Sequence, residues 1–144
     1  MSESLLIERE RDFIEVSGPE SRSFLQGQLS QDIENLNEHS GAWSFLLDPS
    51  GLVIAWLRVI CIEENSFLLD MDPGFAEEVK DRLSRFLIRT KCSIEVLKLN
   101  MYTFLGERDQ APKELDGLRS IVLDWPSLEA IDYFTSTDLT VPEL

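Results

Sequence analysis

Histidine is nearly absent from this chain. His39 is the only one in 144 residues, and it lies in the polar stretch NLNEHSG. A histidine triad or a multi-histidine metal centre is thereby excluded. Cysteine is scarce as well. Cys61 and Cys92 stand singly in VICI and KCSI, a spacing that serves neither a zinc site nor a redox pair. Buried thiols in a reducing compartment are expected, hence a cytoplasmic location. No apolar run approaches the roughly 18 residues of a membrane span. The opening MSESLLIERERD lacks the basic segment and apolar core of a secretory leader, so none is expected. Positive charge is in deficit: 13 Lys and Arg face 27 Asp and Glu, a net charge of −14. Such a surface repels phosphate backbones and favours solubility, so no nucleic-acid partner is expected. Internal repeats and low-complexity segments are also missing.

What is present is a globular composition with strong element signals. DFIEV (12–16) alternates and predicts a strand. Ser17 and Glu20 have capping-box spacing, and Pro19 suits a first turn, so a helix is expected over about 18–28. AWSFLL (42–47), LVIAWLRVICIE (52–63) and SFLLDM (66–71) read as three strands joined by the turn residues 48–51 and 64–65. A second helix is expected after Asp72 and Pro73, with Phe75, Val79, Leu83, Phe86 and Leu87 on one side. CSIEVLKL (92–99) reads as a further strand. The fold class is α+β: an antiparallel sheet with two helices packed on it, in the order β-α-β-β-β-α-β. In the tail, MYTFLG (101–106) and LRSIVLDW (118–125) read as strands, 107–117 as a charged loop, and Pro126 to Tyr133 as a short helix. The terminus from 136 is expected to fray. The expected core is Phe24, Leu25, Leu46, Val53, Ala55, Leu57, Val59, Leu68, Val79, Leu83, Phe86 and Ile94.

Several residues stand out. Arg58 interrupts the apolar run LVIAWLRVI; it either pairs with a carboxylate or anchors an anionic ligand. Arg82, Arg85 and Arg89 share one helix face by spacing, either as a solvated end matched to the helix dipole or as a carboxylate or phosphate contact. Trp43, Trp56 and Trp125 are either core or cavity-lining rings. Carboxylates are so abundant that no pair of them singles out a catalytic site. The stretch Gln26, Gly27, Gln28 and Gln31 combines amides with a glycine that permits close backbone approach. It is either a solvated helix end or a polar surface facing a cavity.

FIEVSGPESRSFLQGQLSQDIENL resembles the opening of the folate-binding aminomethyltransferase family, which includes the glycine cleavage T-protein and YgfZ-like proteins linked to iron–sulfur protein maintenance. Val16, Gly18, Phe24, Leu25, Gln26, Gly27, Gln28, Ser30, Gln31 and Asp32 match or nearly match its pattern. LLDPSGLVIAWLRVI and FLIRTKCSIEVL resemble two later segments, so the resemblance covers about residues 12–98. It implies a folate-binding-like lobe at 1–99 and an extension at 100–144 that packs on or extends it. It also implies tetrahydrofolate as ligand. Family members run beyond twice this length and carry a second similar lobe. The YgfZ-like signature Lys-Gly-Cys-Tyr-x-Gly-Gln is missing, and Gly51–Leu57 lacks the carboxylate that follows the T-protein Gly-Gly turn. The expected function is therefore a noncatalytic module that holds tetrahydrofolate at a dimer junction, through Gln26, Gln28, Asp32, Trp56, Arg58 and Arg89, with no catalytic residue and no metal. The alternatives are a subunit of an aminomethyltransferase-like enzyme completed by a partner chain, and a ligand-free structural or interaction protein. The expected partner is a second copy, joined through Gln26, Gly27, Gln28 and Gln31, or a protein that supplies the missing lobe.

Overall fold

The computed structural model describes residues 5–107, 119–124 and 129–135. Residues Arg11–Leu97 form one compact unit. It runs β2 (Asp12–Ser17), α1 (Ser21–Gln28), β3 (Ser40–Leu47), β4 (Val53–Glu63), β5 (Ser66–Met71), α2 (Ala76–Ser84) and β6 (Ser93–Leu97). This is the expected β-α-β-β-β-α-β order of an α+β fold, and 52–63 contains no helix. The strands make one antiparallel sheet in the order β3-β4-β5-β2-β6. Alternation sends Ile14, Val16, Leu57, Val59, Cys61, Phe67, Leu69 and Met71 to one face. There they pack with Phe24 and Leu25 of α1 and with Ala76, Val79 and Leu83 of α2. Trp43, Phe45, Trp56, Arg58 and Asp70 stand on the other face by the same alternation.

Two expected core residues are exposed: Val53 and Phe86. Val53 ends its strand beyond a register shift between Leu46 and Leu47. Phe86 lies past the end of α2, so helical periodicity no longer turns it inward. The helix caps also differ from the sequence signals. Ser17 belongs to β2 and meets Ser93 at 3.1 Å, while the Glu20 carboxylate accepts the Lys91 N–H rather than one of its own helix. Asp12, not Asp72, serves α2: its Oδ2 accepts the N–H groups of Gly74 and Ala76, both at 3.0 Å. Gly18 has φ +129, and a Cβ there would lie 2.6 Å from the Lys91 carbonyl oxygen, so the close approach at this corner requires glycine.

The second unit pairs β1 (Leu5–Arg9) with β7 (Asn100–Leu105). β9 (Glu129–Thr135) and β8 (Arg119–Asp124) follow, in the order β1-β7-β9-β8. β1 is absent from the sequence expectations, because its apolar residues Leu5, Leu6 and Ile7 are consecutive and do not alternate, and its pairing with β7 makes it a strand. β9 replaces the short helix expected through Tyr133; Ala130, Tyr133 and Phe134 are buried by strand pairing with β7. The loop expected at 107–117 lies outside the described residues from 108, as do Trp125 and the terminus from 136. Tyr102, Phe104 and Tyr133 form the core of this unit, and Thr103 donates to buried Asp132 at 2.7 Å. Among the described residues, no helix is long and apolar enough to cross a membrane.

Candidate functional site

The sheet face opposite the helices carries a row of cross-strand neighbours. Trp43 on β3 lies opposite Arg58 on β4, and Arg58 lies opposite Asp70 on β5. Phe45 is opposite Trp56 one step along. The Trp43 and Trp56 rings are 4.6 Å apart between centroids, and Phe45 stacks on Trp56 at 6.5 Å. All three rings are about half exposed, at 42%, 53% and 44%. Three aromatic rings left to solvent on one sheet face are a costly surface unless something covers them. The hairpin that carries them is held by Asp48, whose Oδ1 accepts the N–H groups of Ser50 and Leu52, both at 2.9 Å, and the Ser50 hydroxyl at 2.6 Å. The Ser50 hydroxyl most of all, together with these backbone donors, draws the Asp48 pKa below its ordinary value.

Beneath the rings is a buried charge cluster. Arg58 Nε meets Asp70 Oδ2 at 2.7 Å, and Arg11 meets Asp70 Oδ1 at 2.6 Å. A further Arg11 nitrogen bonds Asp72 at 2.7 Å. The Arg58 and Arg11 guanidinium carbons lie 5.4 and 6.0 Å from the Trp43 ring centroid, within cation–π range. Arg58 thus takes the carboxylate-paired form of its two readings. Sequence reasoning misses Arg11, Phe45 and Asp70, and it names Trp43, Trp56 and Arg58 without joining them. The signal that could have found them is the parity of the strands: odd positions in β3 and even positions in β4 and β5 share this face.

The other expected ligand residues lie elsewhere. Gln26 Oε1 accepts the Ile33 N–H at 2.5 Å and the Glu34 N–H at 3.0 Å, tying the segment after α1 back to the helix. Asp32 Oδ1 accepts the same Glu34 N–H at 3.1 Å. Gln28 is half-buried at the end of α1, on the helix side of the sheet. Arg89 is exposed in the loop after α2 with φ +57, so it does not share a helix face with Arg82 and Arg85. A Cβ added at Gly27 would meet nothing within 4 Å, so no close backbone approach occurs there among the described residues. Trp56 and Arg58 alone of the six share the aromatic face. Arg22, not singled out by sequence, clamps the 33–36 segment. Its guanidinium donates to the carbonyls of Ile33 and Leu36 at 3.0 and 2.8 Å and lies 5.0 Å from the Phe67 ring. Beside α2 a groove of about 490 Å³ is lined by Ile54, Glu77, Glu78, Asp81, Arg82 and Arg85 among others; its three carboxylates outnumber its two arginines, which disfavours an anion site. No metal-holding cluster of His, Cys, Asp and Glu occurs among the described residues.

No family model matches the chain. In sequence it is similar to an uncharacterised Haemophilus influenzae protein, 26% identical over 116 residues, covering 77% of this chain and 41% of that one. It is also similar to mitochondrial homologues of the iron–sulfur cluster assembly factor IBA57. The one from Pyricularia oryzae is 27% identical over 92 residues, covering 62% of this chain and 23% of the relative. The one from Neurospora crassa is 26% identical over 110 residues, covering 70% and 25%. The crystal structure of glycine cleavage system aminomethyltransferase T from Bartonella henselae superposes with a TM-score of 0.78 at 17% identity, over 92% of this chain and 42% of that one. The chain spans less than half the length of each of these relatives. Fold and sequence similarity agree: the chain has the aminomethyltransferase-like fold of the family that its opening residues resemble.

Proposed function

We propose that this chain is a noncatalytic binding module of the YgfZ-like and T-protein-like kind, which takes a flat ligand of the reduced-folate class on the half-exposed aromatic corner of the sheet face opposite its helices. The observation that carries this reading is the half-exposed stack of Trp43, Trp56 and Phe45. A planar heteroaromatic ring stacks on such a platform and removes its apolar surface from water. The noncatalytic part rests on Gly51–Leu57, a stretch without any carboxylate. The naming of two relatives as iron–sulfur cluster assembly factors favours a role in iron–sulfur protein maintenance over aminomethyl transfer. The same reading keeps Cys61 and Cys92 as free thiols in a reducing cytoplasm. A dimer through the α1 end completes the proposal, with Gln28 and Gln31 at the contact and Gln26 tied back to the Ile33 and Glu34 N–H groups.

Calorimetric titration with tetrahydrofolate and its methylene and formyl derivatives tests the ligand. Binding is expected, and Trp56→Ala is expected to weaken it by about 1–3 kcal/mol, the range of a base stacked on an aromatic side chain. Absence of binding by the unaltered chain would overturn the folate reading. Release of ammonia from an aminomethylated carrier, above a no-protein control, would overturn the noncatalytic one.

A further inference from the structure

The geometry points to Asp70 as the positioning residue of the aromatic platform, acting through two arginines rather than by touching a ligand. Trp43, Arg58 and Asp70 are direct cross-strand neighbours on three adjacent strands. Asp70 is fully buried, and each of its oxygens holds one guanidinium: Oδ2 takes Arg58 at 2.7 Å and Oδ1 takes Arg11 at 2.6 Å. Both guanidinium carbons come within 6.0 Å of the Trp43 ring centroid. Trp43 in turn is 4.6 Å from Trp56. The order of dependence is therefore carboxylate, guanidinium pair, first indole, second indole.

Physical cost supports a positioning role. Buried ion clusters are often no more stabilising than apolar residues of the same volume, because desolvation offsets their attraction. What the cluster supplies is direction: a planar guanidinium fixed by a carboxylate cannot rotate away from the ring it faces. A half-exposed indole otherwise samples several rotamers, and ordering it on binding weakens affinity. The purpose assigned here, a preformed stacking surface, rests on the ligand reading above, but the geometric dependence does not.

The test uses the chain without ligand first. Two closely spaced indoles give an exciton couplet in far-ultraviolet circular dichroism, and that signal reports the Trp43–Trp56 geometry. The apolar double variant Arg58→Met/Asp70→Leu keeps volume without leaving a lone buried charge. It is expected to retain its strand signal and lose at least half of the couplet. Arg11→Met, which leaves the Arg58–Asp70 pair in place, is expected to lose a smaller part. If the double variant does not fold, Arg11→Met decides. An unchanged couplet in the folded variants would overturn the inference, because Trp43 would then be held by its strand alone. If the couplet falls and tetrahydrofolate affinity falls about tenfold, near 1.4 kcal/mol, both readings stand. If the couplet falls but the unaltered chain binds no folate, positioning stands and the ligand reading fails.

Discussion

Single residues divide sharply by where the helix layer ends. Leu83 is fully buried under α2, whereas Phe86 is 47% exposed two residues past the helix. Leu83→Ala is expected to destabilise by about 2–5 kcal/mol. Phe86→Ala should stay within about 0.5 kcal/mol, as surface changes do. Chemical denaturation of both variants checks the contrast; equal losses would mean that the stripe continues past Ser84. The thiols offer a second residue-scale test. Burial, opposed in part by the Arg22 hydrogen bond and charge, raises the Cys61 pKa above its ordinary value, and burial also raises that of half-buried Cys92. A raised folded-state pKa means stability that is complete below the unfolded value and is lost as pH rises through the folded one. Iodoacetamide should therefore leave native Cys61 unmodified at neutral pH, with labelling of Cys92 preceding it as pH rises. Mass spectrometry across that range reads the order, and early modification of Cys61 would contradict its burial.

Elements here are fixed by contacts from outside themselves. α1 starts where Gly18 turns under the Lys91 carbonyl, and α2 starts on the carboxylate of Asp12 from β2. β3 is sealed on its open side by Ser30, which accepts the Phe45 N–H at 3.0 Å and meets Ser44 at 3.3 Å. Two glycines on either end of α1 separate these effects. Gly18→Ala forces a Cβ onto backbone in a positive-φ conformation and should cost about 1–3 kcal/mol. Gly27→Ala adds a methyl to open helix surface and should stabilise by about 0.5–1 kcal/mol in a monomer. Thermal unfolding of the two variants should move in opposite directions. A loss at Gly27 would mean that something outside the chain packs against it.

At the scale of the molecule, charge governs association. Two copies at −14 repel at long range, and salt screens that repulsion over a Debye length of about 8 Å at physiological ionic strength. The proposed dimer should therefore strengthen with salt. Sedimentation at two salt concentrations tests this, and a single monomeric species at high micromolar protein in both would rule the dimer out. Gly27→Ala in the same experiment shows whether α1 forms the contact, because an added methyl there would weaken a close-packed axis. The Gln28 amide remains at that surface, whereas the Gln26 oxygen is engaged with the Ile33 and Glu34 N–H groups and the Gln31 oxygen with the Asp32 N–H.

The order of elements from 12 to 98 was readable because strand and helix carry different periods, and the turn residues at 48–51 and 64–65 interrupt them. The core face of β4 and the buried side of α2 followed from the same periods, and Leu57, Val59, Val79 and Leu83 sit where alternation and helical spacing put them. Three things needed the tertiary structure. β1 and β9 are strands because β7 pairs with both, a long-range hydrogen-bonding choice with little local pattern. The caps come from Asp12 and Glu20 across the fold, where proximity outranks local spacing. The aromatic face exists only because register sets Trp43 against Arg58 and Arg58 against Asp70, bringing together residues that are 15 and 12 positions apart in sequence. Composition and period determined the sheet and its helices; pairing across strands, which no local signal encodes, decided which side chains meet on the face opposite the helices.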